Sequence, residues 1–325
     1  MRQAARKPII DSVIRVSSGS SQTELDGAYD NREPDLTGQP CVVCGSPIRA
    51  QIMRWSARCS ACGTWRSSLQ PAIDSAALHE PIDRFGRIAG FKALRDANNE
   101  CILDEIATLV ALRGKRLLDV GSAHGWFVGA ASRRGLHADG MEPETEMVDY
   151  ARAQGLNVQP GYFPSALVDE EQVDIITFND VLEHIPDVDD ALAGCARALP
   201  AGGVLSVNIP SARGLAYRIA TVLARLGFRG PYRRLWQHGL PSPHIHYFTP
   251  AALQRIIERH GFAVVRQRPL SSIRRGGLWA RVHTVSRPTV SSVIVFLALW
   301  VAAPLLDRPR HADVILLLAT RDDTN

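Results

Sequence analysis

Aromatic residues make up only 6% of the 325 residues, and the net charge is a mild +4. A dense basic stripe with aromatic platforms is missing, which excludes the usual surface of a nucleic-acid binder. No apolar segment follows Met1-Arg-Gln-Ala-Ala-Arg-Lys7, so a secretory signal is not expected and a cytoplasmic chain is. Cysteine is sparse, and four of the six fall in two Cys-x-x-Cys pairs. In a cytoplasmic chain that pattern argues for metal rather than disulfides. Charge is absent for nineteen residues between Arg287 and Asp307. The rest is ordinary for a globular protein, 46% hydrophobic and 22% charged, with room for one large domain and a smaller module.

Residues 1–38 are polar and include Ser17-Ser-Gly-Ser-Ser21, as in a flexible leader. Residues 39–70 carry Cys41-Val-Val-Cys44-Gly and Cys59-Ser-Ala-Cys62-Gly, fourteen residues apart. Each pair makes a tight knuckle, and four thiolates in a closed tetrahedral set suit structural Zn2+. With no open coordination position, such a metal holds a fold and does no chemistry. Cys101 and Cys195 sit in helical patterns and read as small hydrophobes.

From residue 71 to 325 the pattern is that of one α/β domain. Apolar residues from Ile102 to Leu112 recur at helical spacing, within a helical stretch of 71–113 that stops at Gly114. Leu117, Leu118 and Val120 form a short buried-strand run, Gly121, Ala123 and Gly125 supply a tight turn, and Trp126 opens an amphipathic helix. Strands are then expected at 136–142, 157–161, 173–178, 204–209, 262–266 and 312–319, with helices at 144–155, 187–199 and from Thr249 to Gly261. Such repetition predicts a doubly wound, Rossmann-like, seven-stranded and mostly parallel sheet. Ligands of such sheets bind at the carboxyl ends of the strands, where the strand order reverses. The small-residue turn, Glu142 and Asn179-Asp180 all fall at that edge.

The turn lacks the second glycine of a dinucleotide fingerprint, having Asp119-x-Gly121-x-Ala123-x-Gly125 instead. With Gly140-Met-Glu142-Pro, Phe178-Asn-Asp-Val-Leu-Glu-His-Ile-Pro186 and Pro200-Ala-Gly-Gly-Val-Leu205, the chain resembles the class I S-adenosylmethionine-dependent methyltransferases over residues 100–270. Ala123 departs from the family's middle glycine, a change expected to be sterically mild. The resemblance implies S-adenosylmethionine as cofactor. Backbone from Gly121 to Gly125 would approach it closely. Glu142 would accept the ribose hydroxyls, Asp119 would hold the ammonium, and Asn179 or Asp180 would lie along the methionine portion. Base candidates, where an acceptor needs one, are His184, His244 and His246, with Tyr247 nearby. Period-two spacing puts His244 and His246 on one face of an extended segment. Asp180-Val-Leu-Glu183-His184 is also similar to the acidic-x-x-acidic-His motif of ubiquinone-pathway O-methyltransferases, associated there with a divalent metal. A helix-capping role for Glu183 and His184 is preferred to magnesium.

The end of strand four lacks the Asn/Asp-Pro-Pro-aromatic signature of nucleic-acid amino-methyltransferases, so base methylation is disfavoured. Joined to a zinc module, the domain resembles bacterial enzymes acting on sugars, glycolipids and other metabolites. The insert at 211–247 carries arginines and aromatics suited to anionic or saccharide groups. As a helix, residues 288–306 would be about 28 Å long. Basic flanks at both ends favour a membrane-interfacial helix over a buried or dimer-forming one, and either over a span. The expected acceptor is a small molecule, a saccharide or a lipid-linked glycan. A non-catalytic zinc-anchored adapter and a nicotinamide-dependent sugar oxidoreductase are the alternatives.

Overall fold

Leu117 and Leu118 point to opposite faces of the central strand, and both are buried. That alternation organises the two layers packed on the sheet. In this computed structural model residues 34–71, 84–167, 172–273, 275–282, 289–306 and 312–322 are described. The expected leader lies outside them up to residue 33, as does 72–83 of the expected helical stretch.

The strands of the main sheet are β4 (Arg116–Val120), β5 (His137–Glu142), β6 (Val158–Pro160), β7 (Ile175–Asn179), β8 (Val204–Pro210), β10 (Phe262–Leu270) and β11 (Val314–Arg321). Their order is β10-β11-β8-β7-β4-β5-β6, with β11 antiparallel to both neighbours and the other pairs parallel. The expected seven-stranded sheet is present. Its order reverses between β4 and β7, which opens the crevice there. One face is covered by α1 (Arg84–Ala107) and α2 (Trp126–Arg133): Ile102, Ile106 and Phe127 pack with Leu117, Ile175 and Leu318. The other is covered by α4 (Val188–Ala198) and α7 (Pro250–Arg259): Leu192, Cys195 and Ile256 pack with Leu118, Ile176 and Leu317. Cys195 is thus a core residue, as its helical context implied. α3 (Thr145–Ala153) follows β5. Asp187 and Thr249 cap α4 and α7 by accepting the N–H groups of Asp190 and Ala252.

The four-cysteine module folds as β1 (Ile48–Ala50), β2 (Ser56–Cys59) and β3 (Trp65–Ser67). Its sheet continues into the insert at 211–247. β9 (His246–Tyr247) pairs with β3, Trp65 facing Tyr247 and Arg66 facing His246. The insert adds α5 (Leu215–Arg225) and α6 (Gly230–Leu235). Trp55, Trp65, Tyr217, Tyr232, Trp236 and Tyr247 form a shared aromatic core. Trp55 meets Trp236 edge-on at 5.8 Å, and Tyr217 lies 4.4 Å from Tyr247. The module and the insert therefore bury one hydrophobic surface between them. Arg259 ties the first knuckle to α7 by donating to the carbonyls of Val42 and Val43 at 3.0 Å.

Between β10 and β11 lie α8 (Leu278–Val282) and α9 (Val290–Leu306). The expected apolar segment is helical and leaves Val290, Ile294, Leu297 and Val301 exposed. Arg275 stacks on Trp300 at 4.1 Å. Among the described residues no helix is long and apolar enough to cross a membrane.

Because Trp236 is fully buried where the module meets the insert, Trp236→Ala should lose about 3–5 kcal/mol of unfolding free energy. Denaturant titration by fluorescence and by far-UV circular dichroism checks this. A loss below about 1 kcal/mol would mean that the two parts are not joined through this core.

Candidate active site

The turn after β4 is set by close packing. Gly121 has φ 66°, and a Cβ there would lie 2.6 Å from a Val181 methyl. Gly125, with φ 71°, precedes α2, and a Cβ on it would meet Leu156 at 2.7 Å. Glycine is required at both. Ala123 also takes a left-handed φ, 45°, so its replacement of glycine is less mild than expected. That conformation costs an L-residue about 1–2 kcal/mol. The Ala123 N–H is anchored on the Glu142 carboxylate at 2.9 Å.

Glu142 ends β5 and is nearly buried. One oxygen accepts the Ala123 N–H, and the other accepts the N–H of Glu144 at 2.9 Å. The carboxylate therefore spans the crevice between two loops and keeps further lone pairs for a ligand. Burial raises its pKa, opposed by the two N–H bonds. Asp119, buried in β4, accepts from Thr177 Oγ1 at 2.7 Å and Asn179 Nδ2 at 2.8 Å. Burial pushes its pKa up to about 7 against those bonds. An incoming cation would therefore hold it ionised.

Asp180 has φ 54° and pairs with Arg95 of α1. Its N–H donates to the Asn208 carbonyl at 3.0 Å and to Asn208 Oδ1 at 2.7 Å. Sequence reading missed both Arg95 and Asn208. Arg95 lies in a helix remote in sequence, with no local motif. Asn208, a polar residue within a buried strand, was the available signal. His124 stacks on Trp126 at 4.8 Å and meets Tyr150 edge-on at 5.4 Å beside the turn.

The three histidines fall into two environments. Leu182–His184 forms a 3-10 turn, and Asp187 caps the helix that follows, so Glu183 and His184 are not its caps. His184 Nδ1 lies 2.9 Å from the Pro243 carbonyl. Ser242 Oγ lies 3.2 Å from the same nitrogen; with Nδ1 donating to the nearer carbonyl, Nε2 is the basic nitrogen. Nε2 is 3.9 Å from Glu183 Oε1. Burial lowers the His184 pKa and raises that of Glu183, the latter reinforced by the Asp180 charge. His244 packs edge-on against His184 at 4.6 Å, and its Nε2 is 2.9 Å from Gln237 Nε2. His246 turns toward the same segment, 3.4 Å from the Pro186 carbonyl, but it is fully buried against Phe248. Burial drops its pKa to about 4. One carboxylate and two imidazoles, from Glu183, His184 and His244, converge within 4.8 Å. Both Glu183 oxygens are buried without hydrogen bonds among the described residues. This group can hold a proton or a cation.

Away from the crevice, Cys41, Cys44, Cys59 and Cys62 converge within the same 4.8 Å limit. Sγ separations are 3.5 Å for Cys41–Cys62 and 3.4 Å for Cys44–Cys59, too long for disulfides and suited to four thiolates around one ion.

The crevice fits the cofactor that the sequence resemblance implied. Two glycines allow backbone approach, Glu142 offers acceptors at a strand end, and Asp119 offers a buried anion. Comparison with known proteins agrees. A family described as "Methyltransferase domain" matches residues 93–267. A ubiquinone biosynthesis O-methyltransferase of Xanthomonas oryzae pv. oryzae is 32% identical over 185 residues, 51% of this chain and 77% of that protein. One from Xylella fastidiosa is 35% identical over 133 residues, 39% of this chain and 54% of its own. The fold is similar to that of a SAM-dependent methyltransferase from Archaeoglobus fulgidus, with 15% identity and a TM-score of 0.50 over 74% of this chain and all of that one. The family match, the relatives and the crevice agree, and the chain belongs to the methyltransferase-domain family as a class I S-adenosylmethionine-dependent methyltransferase.

Proposed function

We propose that the protein methylates a hydroxyl group on a small-molecule acceptor, a saccharide or lipid-linked glycan, with His184 as general base. The observation that carries this is the 2.9 Å approach of His184 Nδ1 to the Pro243 carbonyl, an acceptor that draws the proton to Nδ1 and leaves the lone pair on Nε2. The relatives named above are O-methyltransferases by description, which supports an oxygen acceptor. When bound, S-adenosylmethionine supplies a methyl group activated by its sulfonium. Glu142 and Asp119 hold and orient it, His184 Nε2 takes the hydroxyl proton, and alignment supplies most of the remaining rate. His244 fixes the His184 ring from the side, and His246 supports the backbone.

The four cysteines hold Zn2+ in this reading. The exposed face of α9 rests on the cytoplasmic side of a membrane, where an amphiphilic acceptor would be met. The adapter reading gives no reason for the buried acids at the crevice, and the oxidoreductase reading gives none for the family match.

Two measurements test the site. Glu142→Ala should weaken S-adenosylhomocysteine binding at least about tenfold in isothermal titration. Unchanged affinity would remove Glu142 from the cofactor site. Because burial lowers the His184 pKa, its basic form persists below the ordinary value of 6.5. The rate should therefore fall only as pH drops through a value lower than that. His184→Ala should cut the rate about 10²–10⁴-fold and abolish this acid limb. A limb that survives the substitution would show that His184 is not the base.

A further inference from the structure

We propose that the groove between the second cysteine knuckle and α5 binds phosphate or diphosphate groups. Two adjoining cavities of about 190 and 230 Å³ share Arg58, Trp65 and Ala212. Arg213 lines the first, and Arg218 and Arg225 line the second; no carboxylate lines either. Among the described residues none of these four arginines has an ion-pair partner. Arg58 lies over the Trp65 ring at 5.9 Å, and Ser60 and Thr221 add hydroxyls.

Four guanidinium groups gathered without a counter-charge repel one another, and a multivalent anion relieves that repulsion while accepting forked hydrogen bonds. Asp313, the carboxylate at the start of α5, accepts the Ala216 N–H at 2.7 Å and lines neither cavity. Between Asp190 and Asp307 the chain holds fifteen arginines and a single acid, Glu258. The groove is also bordered by apolar surface: Ile219, Val222, Leu226 and Phe228 are exposed on α5 and just beyond it. Phosphate beside an apolar rim suits either a lipid headgroup or a free phosphorylated compound.

The groove lies between the module and the insert, so this inference rests on the proposed function and narrows its acceptor to phosphate-bearing ones. Its test reads binding without turnover, so a failure of this inference and a failure of the methyl-transfer reading give different results. Full-length, metal-loaded protein is titrated with inorganic pyrophosphate, and its co-sedimentation with phosphatidylglycerol and phosphatidylcholine vesicles is compared. The variant is Arg213→Ala with Arg218→Ala, two exposed positions, and S-adenosylhomocysteine binding reports an intact fold. Pyrophosphate should bind and weaken roughly tenfold or more in the variant, with S-adenosylhomocysteine affinity unchanged. A phosphatidylglycerol preference that pyrophosphate competes away assigns a lipid headgroup. Pyrophosphate binding without that preference assigns a free phosphorylated compound. Absence of pyrophosphate binding, or equal binding by variant and wild type, overturns the proposal.

Discussion

Ile245 is the joint on which both halves of the molecule depend. Its carbonyl accepts the N–H of Ser67 at 2.8 Å, and its own N–H donates to the Glu183 carbonyl at 2.8 Å. One residue therefore links the four-cysteine module to the 3-10 turn that carries Glu183 and His184. Ser67 Oγ adds a 2.7 Å bond to the His244 carbonyl, so the segment bearing His244 is held on both sides of Ile245. Tyr232 donates to Ser56 at 3.1 Å within the aromatic core. The parallel sheet carries Asp119 and Glu142, and the module meets it through β9 and through Arg259 on the first knuckle.

That joint lets the crevice keep polar groups that would be costly elsewhere. Glu183 and His244 Nδ1 are buried without hydrogen bonds among the described residues, and Asp119 is buried with two. Left-handed backbone at Ala123, within the turn after β4, and at Asp180, just after β7, adds strain. Each such feature costs about 1–3 kcal/mol and persists only where its surroundings hold it. Here the surroundings are the packed sheet under Gly121 and the ribbon behind His244. Packing of this kind holds the crevice groups in position, and alignment is what methyl transfer most needs.

The sheet was legible because its signals are local. Short apolar runs, capping residues such as Asp187 and Thr249, and the glycines at 121 and 125 each announce an element within a few residues. The same holds for Glu142 and Asp119, which end or lie within recognisable strands. What escaped was long-range. Pairing of Arg66 with His246 joins residues 180 apart in sequence, and no periodicity records it. Arg95 reaches Asp180 from a helix whose pattern shows only which face is apolar. The histidines were found by residue type, but what separates them is long-range: the Pro243 carbonyl lies against His184 Nδ1, and burial closes His246 in the core.

On this account the proposed zinc acts on catalysis at a distance, by holding the strand to which the acceptor half is attached. Hydrogen–deuterium exchange of metal-loaded and metal-depleted protein measures this directly. The account predicts that depletion removes protection from 53–67 and 232–247 together, and leaves 116–142 protected. Protection of 244–247 that is indifferent to the metal would contradict it.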